Sequence, residues 1–376
     1  MTSKERMLAA LSHREPDRVP IDLNGTIVTA LTRVAYENLR AYLGLPTDSS
    51  IEVSHFAMDT VRAKEDLLAH YGIDTRAIGM GVPFGFREQI MPDGTLYDEY
   101  RIRWRRASWY WDVVEHPLAD KTLAELPGAA WPDEHDRGRY RGMRERAMQS
   151  FGTTEPCLVV DIPGLGPFEG GCFLRGHGNF CTDLYVDPSY AEAVMDKVVD
   201  SMILFWGHIL DEVGELAQVV AQGDDVGMQT GTYISPEMYR RLVKPRKKRL
   251  FDFIHSRTKA KIFYHSCGSV YDLIPDFIDE GVDILNPLQR SAAKMDIARL
   301  KREFGRDICF WGAGIDVQQE LPFLSPREIE DEVKRTLDVM APGGGYVFFP
   351  SHNIQADVTP DRIDAMFRAV LAYGEP

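Results

Sequence analysis

A chain of 376 residues, 44% hydrophobic and 27% charged, has the composition of a folded globular protein and excludes a disordered one. Its formal charge of -14 excludes a nucleic-acid partner, which needs a basic face. Five cysteines do not make a disulfide framework, no run of about 18 apolar residues exists, and "MTSKERMLAALSHREPDRVP" has no leader-like apolar core, so the expectation is a cytoplasmic protein with no membrane partner.

In chain order, residues 1–17 read as an N-terminal helical extension and 28–71 as helical and polar-faced. Strand-like runs are "RVPIDL" (18–23), "DTRAIGM" (74–80), "CLVVDI" (157–162), "AQVVAQG" (217–223), "KIFYHS" (261–266), "DILNPL" (283–288), "DICFWG" (307–312) and "GYVFFPS" (345–351). Residues 81–118, with strand periodicity and a "PDG" turn, read as an inserted hairpin, either a flap or a subunit contact of a homodimer. Its Trp104, Trp109 and Trp111 are either exposed or packed down. "AELPGAAWPDEHD" (124–136) reads as a surface connector, and the basic "KPRKKR" (244–249) as a solvated helix face. Helix starts are marked at Ser235-Pro236, at Ser325-Pro326-Arg327-Glu328 and at Thr359-Pro360. Eight apolar strands alternating with helices predict a parallel sheet closed into a (β/α)8 TIM-type barrel over one domain, 1–376; an open doubly wound sheet is the competitor.

In such a barrel the chemistry sits at the carboxyl ends of the strands. That list reads Asn24, Asp161, Asp224, Asp225, His265, Cys267, Asn286, Gln289, Asp316, Ser351, His352 and Asn353, any one of which could instead cap a loop. His265 and Cys267, two apart on a strand, face the same way, and Gly268 allows a sharp exit. An imidazole and a thiolate aimed at one point suit zinc, and His352 at the end of the eighth strand is the candidate third ligand. Cys309 reads as a buried core thiol, Cys172 and Cys181 as packed, and His177 as a lesser candidate.

Five segments are similar to the uroporphyrinogen decarboxylase superfamily: "KERMLAALSHREPDRVPID" (4–22), "GPFEGGCFLRGHGNF" (166–180), "QGDDVGMQTGTYISPEMYRRLVKPR" (222–246), "YHSCGSVYDLIPDFIDEGVDILNPLQ" (264–289) and "APGGGYVFFPSHNIQADVTPDRI" (341–363). The resemblance implies a distorted (β/α)8 barrel. Porphyrinogen decarboxylases carry an arginine-rich segment after the first strand and an aspartate at the end of the second. Here those places read "IDLNGTIVTALTR" and "AIGMGVP", which lack both. The other branch, zinc-dependent methyltransferases working with a corrinoid protein, resembles this chain at His265, Cys267 and Gly268. Its third ligand is commonly a cysteine near the end of the eighth strand, where this chain has His352.

The resemblance therefore implies transfer of a methyl group between a small molecule (a thiol, a folate or a methoxy compound) and a corrinoid, methylcobalamin, carried on a partner protein. Zinc would be held by His265, Cys267 and His352. Asp224 and Asp225 would position or protonate the substrate, with Asn24, Asp161, Asn286, Gln289, Asp316 and Asn353 around it. His352 could instead be an acid/base group in a metal-free lyase acting with Asp225 on a small carboxylate. A non-catalytic binding module is the third reading.

Overall fold

The computed structural model describes residues 1–87, 90–150 and 155–375. Seven parallel strands form one curled sheet, in the spatial order Tyr346–Val347, Cys309–Trp311, Ile284–Asn286, Lys261–His265, Val219–Gly223, Cys157–Val160 and Thr75–Ile78. The gap between the first and last of these is closed by Pro20 to Asp22: Phe348 N donates to Pro20 O at 2.8 Å, Asp22 N to Phe348 O at 2.9 Å, and Asp74 N to Ile21 O at 2.9 Å. All eight predicted strands thus find a place in a distorted barrel. The first, expected over 18–23, shrinks to a bridge at Ile21 because Ile21 N donates to the Asp74 carboxylate and not to a backbone carbonyl. Arg6 and Arg18, at 2.7 and 2.8 Å, hold that carboxylate in place.

The strands are buried on both faces, which is why they read as continuous apolar runs. Helices cover the outside. Ser325 and Glu328 cap the helix Pro326–Met340 reciprocally, as the motif predicts. Ser235 accepts from Met238 N, but only Pro236–Met238 is α-helical before a π-turn over Tyr239–Val243 leads into Lys244–Arg257.

Three expectations are corrected. Residues 28–71 are not all helical: helices Arg33–Tyr42 and Glu65–His70 flank a small antiparallel sheet of Leu31–Thr32, Thr60–Val61 and Val53–His55, whose strands are too short to show a period. The insert is a three-stranded antiparallel meander, Thr95–Tyr97, Arg103–Arg106 and Trp111–Glu115, and not a hairpin; residues 88 and 89 of it lie outside the described residues. Trp104 packs down and Trp111 is partly buried, whereas Trp109 is exposed. The run 244–249 is not simply a solvated face. Lys247 is 1% exposed and ion-paired to Glu280 at 3.1 Å, and Lys244, Arg246, Lys248 and Arg249 each meet an acidic partner. No helix among the described residues is long and apolar enough to cross a membrane.

Candidate active site

The strand register sets the site. His265 ends its strand paired to Gly223 on one side and Asn286 on the other. Beyond it the chain turns through Gly268 at φ +85°, where backbone packs on backbone: a Cβ there would lie 2.7 Å from Gly227 and Met228 atoms. Ser266 points away, accepting from Val226 N at 3.0 Å, while His265 and Cys267 share the other face with Nε2 and Sγ 3.4 Å apart. His352 comes from the loop after Tyr346–Val347. Its ring centroid is 5.5 Å from that of His265, and one donor atom each from His265, Cys267 and His352 lie within 4.8 Å of one another.

The donor set fits zinc. Tetrahedral bonds of about 2.0–2.1 Å to nitrogen and about 2.3 Å to sulfur put those two donors roughly 3.5 Å apart, close to what His265 and Cys267 show. Asn286 fixes which imidazole nitrogen is free. Its Nδ2 donates to Trp311 O at 2.8 Å, so its Oδ1 faces His265 Nδ1 at 2.6 Å and must accept the proton there. Nε2 is left with its lone pair toward Cys267 and His352, as a metal ligand requires. Burial, then the neighbouring His265, pulls His352 down to about 3, so it too is a neutral donor. Burial, with Asp225 and Glu169 nearby, pushes the Cys267 thiol up, and only an adjacent cation would make it a thiolate.

These donors lie beneath a cavity of about 800 Å³, bounded by His265, His352, Asp225 and Glu169 at its floor and by the insert and the small sheet above. Asp225 Oδ1 accepts from Cys267 N at 2.8 Å and is 3.8 Å from His265 Nε2. Among the described residues, no lysine or arginine lines the cavity.

Asp224 does not line the cavity. Its carboxylate accepts from Glu169 N at 2.7 Å, at the start of the helix Pro167–Arg175, and its Oδ2 has no hydrogen-bond partner. Burial pushes it up to about 7, against the pull of Lys247. A carboxyl raised in the folded state binds its proton more tightly than the unfolded chain does, so the stability it contributes is present below about pH 4 and lost as pH rises through about 7. Asp224→Asn is therefore expected to flatten the loss of stability that wild type shows between those limits. Urea melts at pH 5 and pH 8 check this; an identical pH dependence in both proteins would contradict it.

The six polar residues expected around the substrate brace the rim and do not line the cavity. Asp161, 4% exposed, accepts from Ile27 N at 2.9 Å and pairs with Arg62 at 3.0 Å. Asn353 accepts from Ala30 N at 2.7 Å, and Asn24 accepts from Ala63 N. Gln289 accepts from Gly268 N at 2.8 Å, and Asp316 caps the turn at Gln318 and Gln319. Asn286 supports His265 and is not among the residues lining the cavity. Cys309 and Cys172 are buried. His177 lines the cavity but is not among the clustered donors.

Sequence reasoning missed Glu169, His55 and Tyr110. Glu169 sits in the first turn of a helix, where an acid reads as a dipole partner; burial, then Asp225 and Asp224, pushes it well above the ordinary carboxylate range. His55 and Tyr110 come from the small sheet and the insert, outside any strand-end rule.

Among known proteins, the profile of the family described as Uroporphyrinogen decarboxylase (URO-D) matches residues 165–373. The chain is 24% identical to a uroporphyrinogen decarboxylase of Magnetococcus marinus, over 100% of this chain and 98% of that one. It is also 24% identical to one from Aeromonas salmonicida, over 68% of this chain and 69% of that one. A methyltransferase from Methanosarcina mazei superposes with a TM-score of 0.67 at 19% identity, covering 99% of both chains, and so shares the fold. With more than half of its length matched by the family profile, the chain belongs to the uroporphyrinogen decarboxylase family.

Proposed function

We propose that this protein is a zinc-dependent methyltransferase that moves a methyl group between a small molecule and a corrinoid carried on a partner protein. The fold is common to relatives named as decarboxylases and to one named as a methyltransferase, so the fold does not choose. The observation that carries the reading is the convergence of His265, Cys267 and His352 within 4.8 Å of one another, with His265 and His352 lining the cavity. A zinc ion held there supplies Lewis acidity toward the atom that gives or receives the methyl group. Asn286 orients His265. When a methyl group leaves without its bonding pair, the atom it leaves keeps that pair and takes a proton, and Glu169, whose hold on a proton is strengthened by burial beside Asp225, lines the cavity where it can deliver one.

The metal-free lyase reading is disfavoured by the lining. A small carboxylate substrate needs a cationic side chain to offset its charge, and among the described residues no lysine or arginine lines the cavity. Two experiments test the proposal. Purified protein is expected to hold about one zinc per chain and to methylate or demethylate free cobalamin, followed by its visible spectrum. Full activity after chelation would contradict it and favour the lyase. Asn286→Leu is expected to weaken zinc binding by about 10- to 100-fold without unfolding the barrel, read by competition with a chromogenic chelator; unchanged affinity would remove Asn286 from the account.

A further inference from the structure

The cavity's upper wall is built for a ring. Phe56 stands edge-on to Trp104 with centroids 5.5 Å apart and to Trp111 at 6.3 Å, and Trp104 leans on Phe173 at 5.7 Å. All four line the cavity. Such faces and edges complement a flat π-system better than a saturated skeleton of the same size.

Two polar atoms in this wall have no partner. Tyr110 Oη and His55 Nδ1 are buried without a hydrogen bond, although both residues line the cavity. Buried donors left unmatched are costly unless a ligand or water satisfies them. Tyr110, on the loop entering Trp111–Glu115, lines the same cavity as His265 and His352.

The charge pattern narrows the ligand further. Among the described residues no lysine or arginine lines the space, which disfavours an anion. The two buried or half-buried carboxylates of the upper wall are already matched: Glu99 pairs with Arg139, and Asp98 accepts from Trp104 Nε1 at 2.9 Å and Ile102 N at 2.9 Å. That leaves Asp112 as the upper-wall acid without an ion pair, and it is exposed to solvent, so its charge needs no cation from a ligand.

We infer that the cavity takes an uncharged aromatic molecule bearing an oxygen substituent, its ring lying against the wall formed by Phe56, Trp104, Trp111 and Phe173 and its oxygen accepting from Tyr110. This names the small-molecule partner of the methyl transfer proposed above and rests on that reading for its role, but not for its binding.

Binding by titration calorimetry, with no corrinoid present, tests it. Guaiacol is expected to bind about 5- to 10-fold more tightly than its ring-saturated counterpart methoxycyclohexanol. The anion anisate is expected to bind more weakly than guaiacol. Tyr110→Phe keeps the ring and removes the hydroxyl, and is expected to weaken guaiacol by about 3- to 10-fold while leaving toluene unchanged. Equal binding of guaiacol and methoxycyclohexanol, preference for anisate, or indifference of guaiacol to Tyr110→Phe would each overturn the inference. Guaiacol binding as predicted in a protein that holds no zinc and moves no methyl group would leave this inference standing and remove the proposed activity; zinc and methyl transfer without selective guaiacol binding would do the reverse.

Discussion

Replacing Cys267 by alanine is expected to take bound zinc from about one per chain to below about one in ten and to reduce methyl transfer by at least about a thousandfold, with the melting temperature of the metal-free protein nearly unchanged. The size of the loss follows from the ligand count. A catalytic zinc with an open position has three protein ligands, and removing the one anionic donor leaves two neutral imidazoles. Supporting residues alone are worth about 10- to 100-fold in affinity, so a ligand is worth more. The fold should survive because Cys267 and His265 lie at the rim, with the sheet hydrogen bonds made by Lys261 to His265 backbone and not by these side chains. His265→Ala and His352→Ala are expected to behave alike. Retention of zinc by His352→Ala alone would make His352 an acid/base group and leave the third ligand to be found at Asp225 or Glu169.

Glu280→Gln is expected to be the most damaging single change to stability, costing about 3–5 kcal/mol, because it leaves Lys247 charged and unmatched in the interior. Lys247 is 1% exposed, with Glu280 at 3.1 Å, Tyr239 Oη at 2.8 Å and the Tyr264 ring centroid at 3.6 Å. Burial pulls the lysine down and pushes the glutamate up from their ordinary values, so neither tolerates the loss of the other. The double change Lys247→Met with Glu280→Leu removes both charges and is expected to recover most of the loss. Chemical denaturation of the three proteins checks this, and a Glu280→Gln protein as stable as wild type would contradict it. Zinc content should be unaffected in all three. The pair joins the helix Lys244–Arg257 to Ile274–Glu280, and neither residue is among the clustered donors.

What the sequence disclosed follows from which contacts are local. The parallel strands are legible because burial on both faces makes them continuous apolar runs, so "KIFYHS" falls within a residue of Lys261–His265. His265, Cys267 and His352 are legible because strand ends are where a barrel keeps its chemistry. The same rule also picks residues that do not line the cavity. Asp161, Asn353 and Gln289 look identical to ligand-binding residues in sequence, yet each satisfies a backbone N–H in a rim made of irregular loops. Asn286 meets His265 only through the register of two strands 21 residues apart. Tyr110 and His55 reach the cavity from elements whose docking no periodicity records, and the two-residue strands near them are too short to be read. Lys247 reads as one more surface charge until helix packing shows Glu280 opposite it.

The barrel and its family are established by the strand order and the family profile, and the decisive question is what the three converging side chains hold. X-ray absorption at the zinc edge on zinc-loaded protein tests this most directly. The account predicts one sulfur at about 2.3 Å and two nitrogens at about 2.0–2.1 Å, with the sulfur contribution lost in Cys267→Ala. A shell of nitrogen and oxygen only, or a sulfur signal that persists in Cys267→Ala, would contradict it.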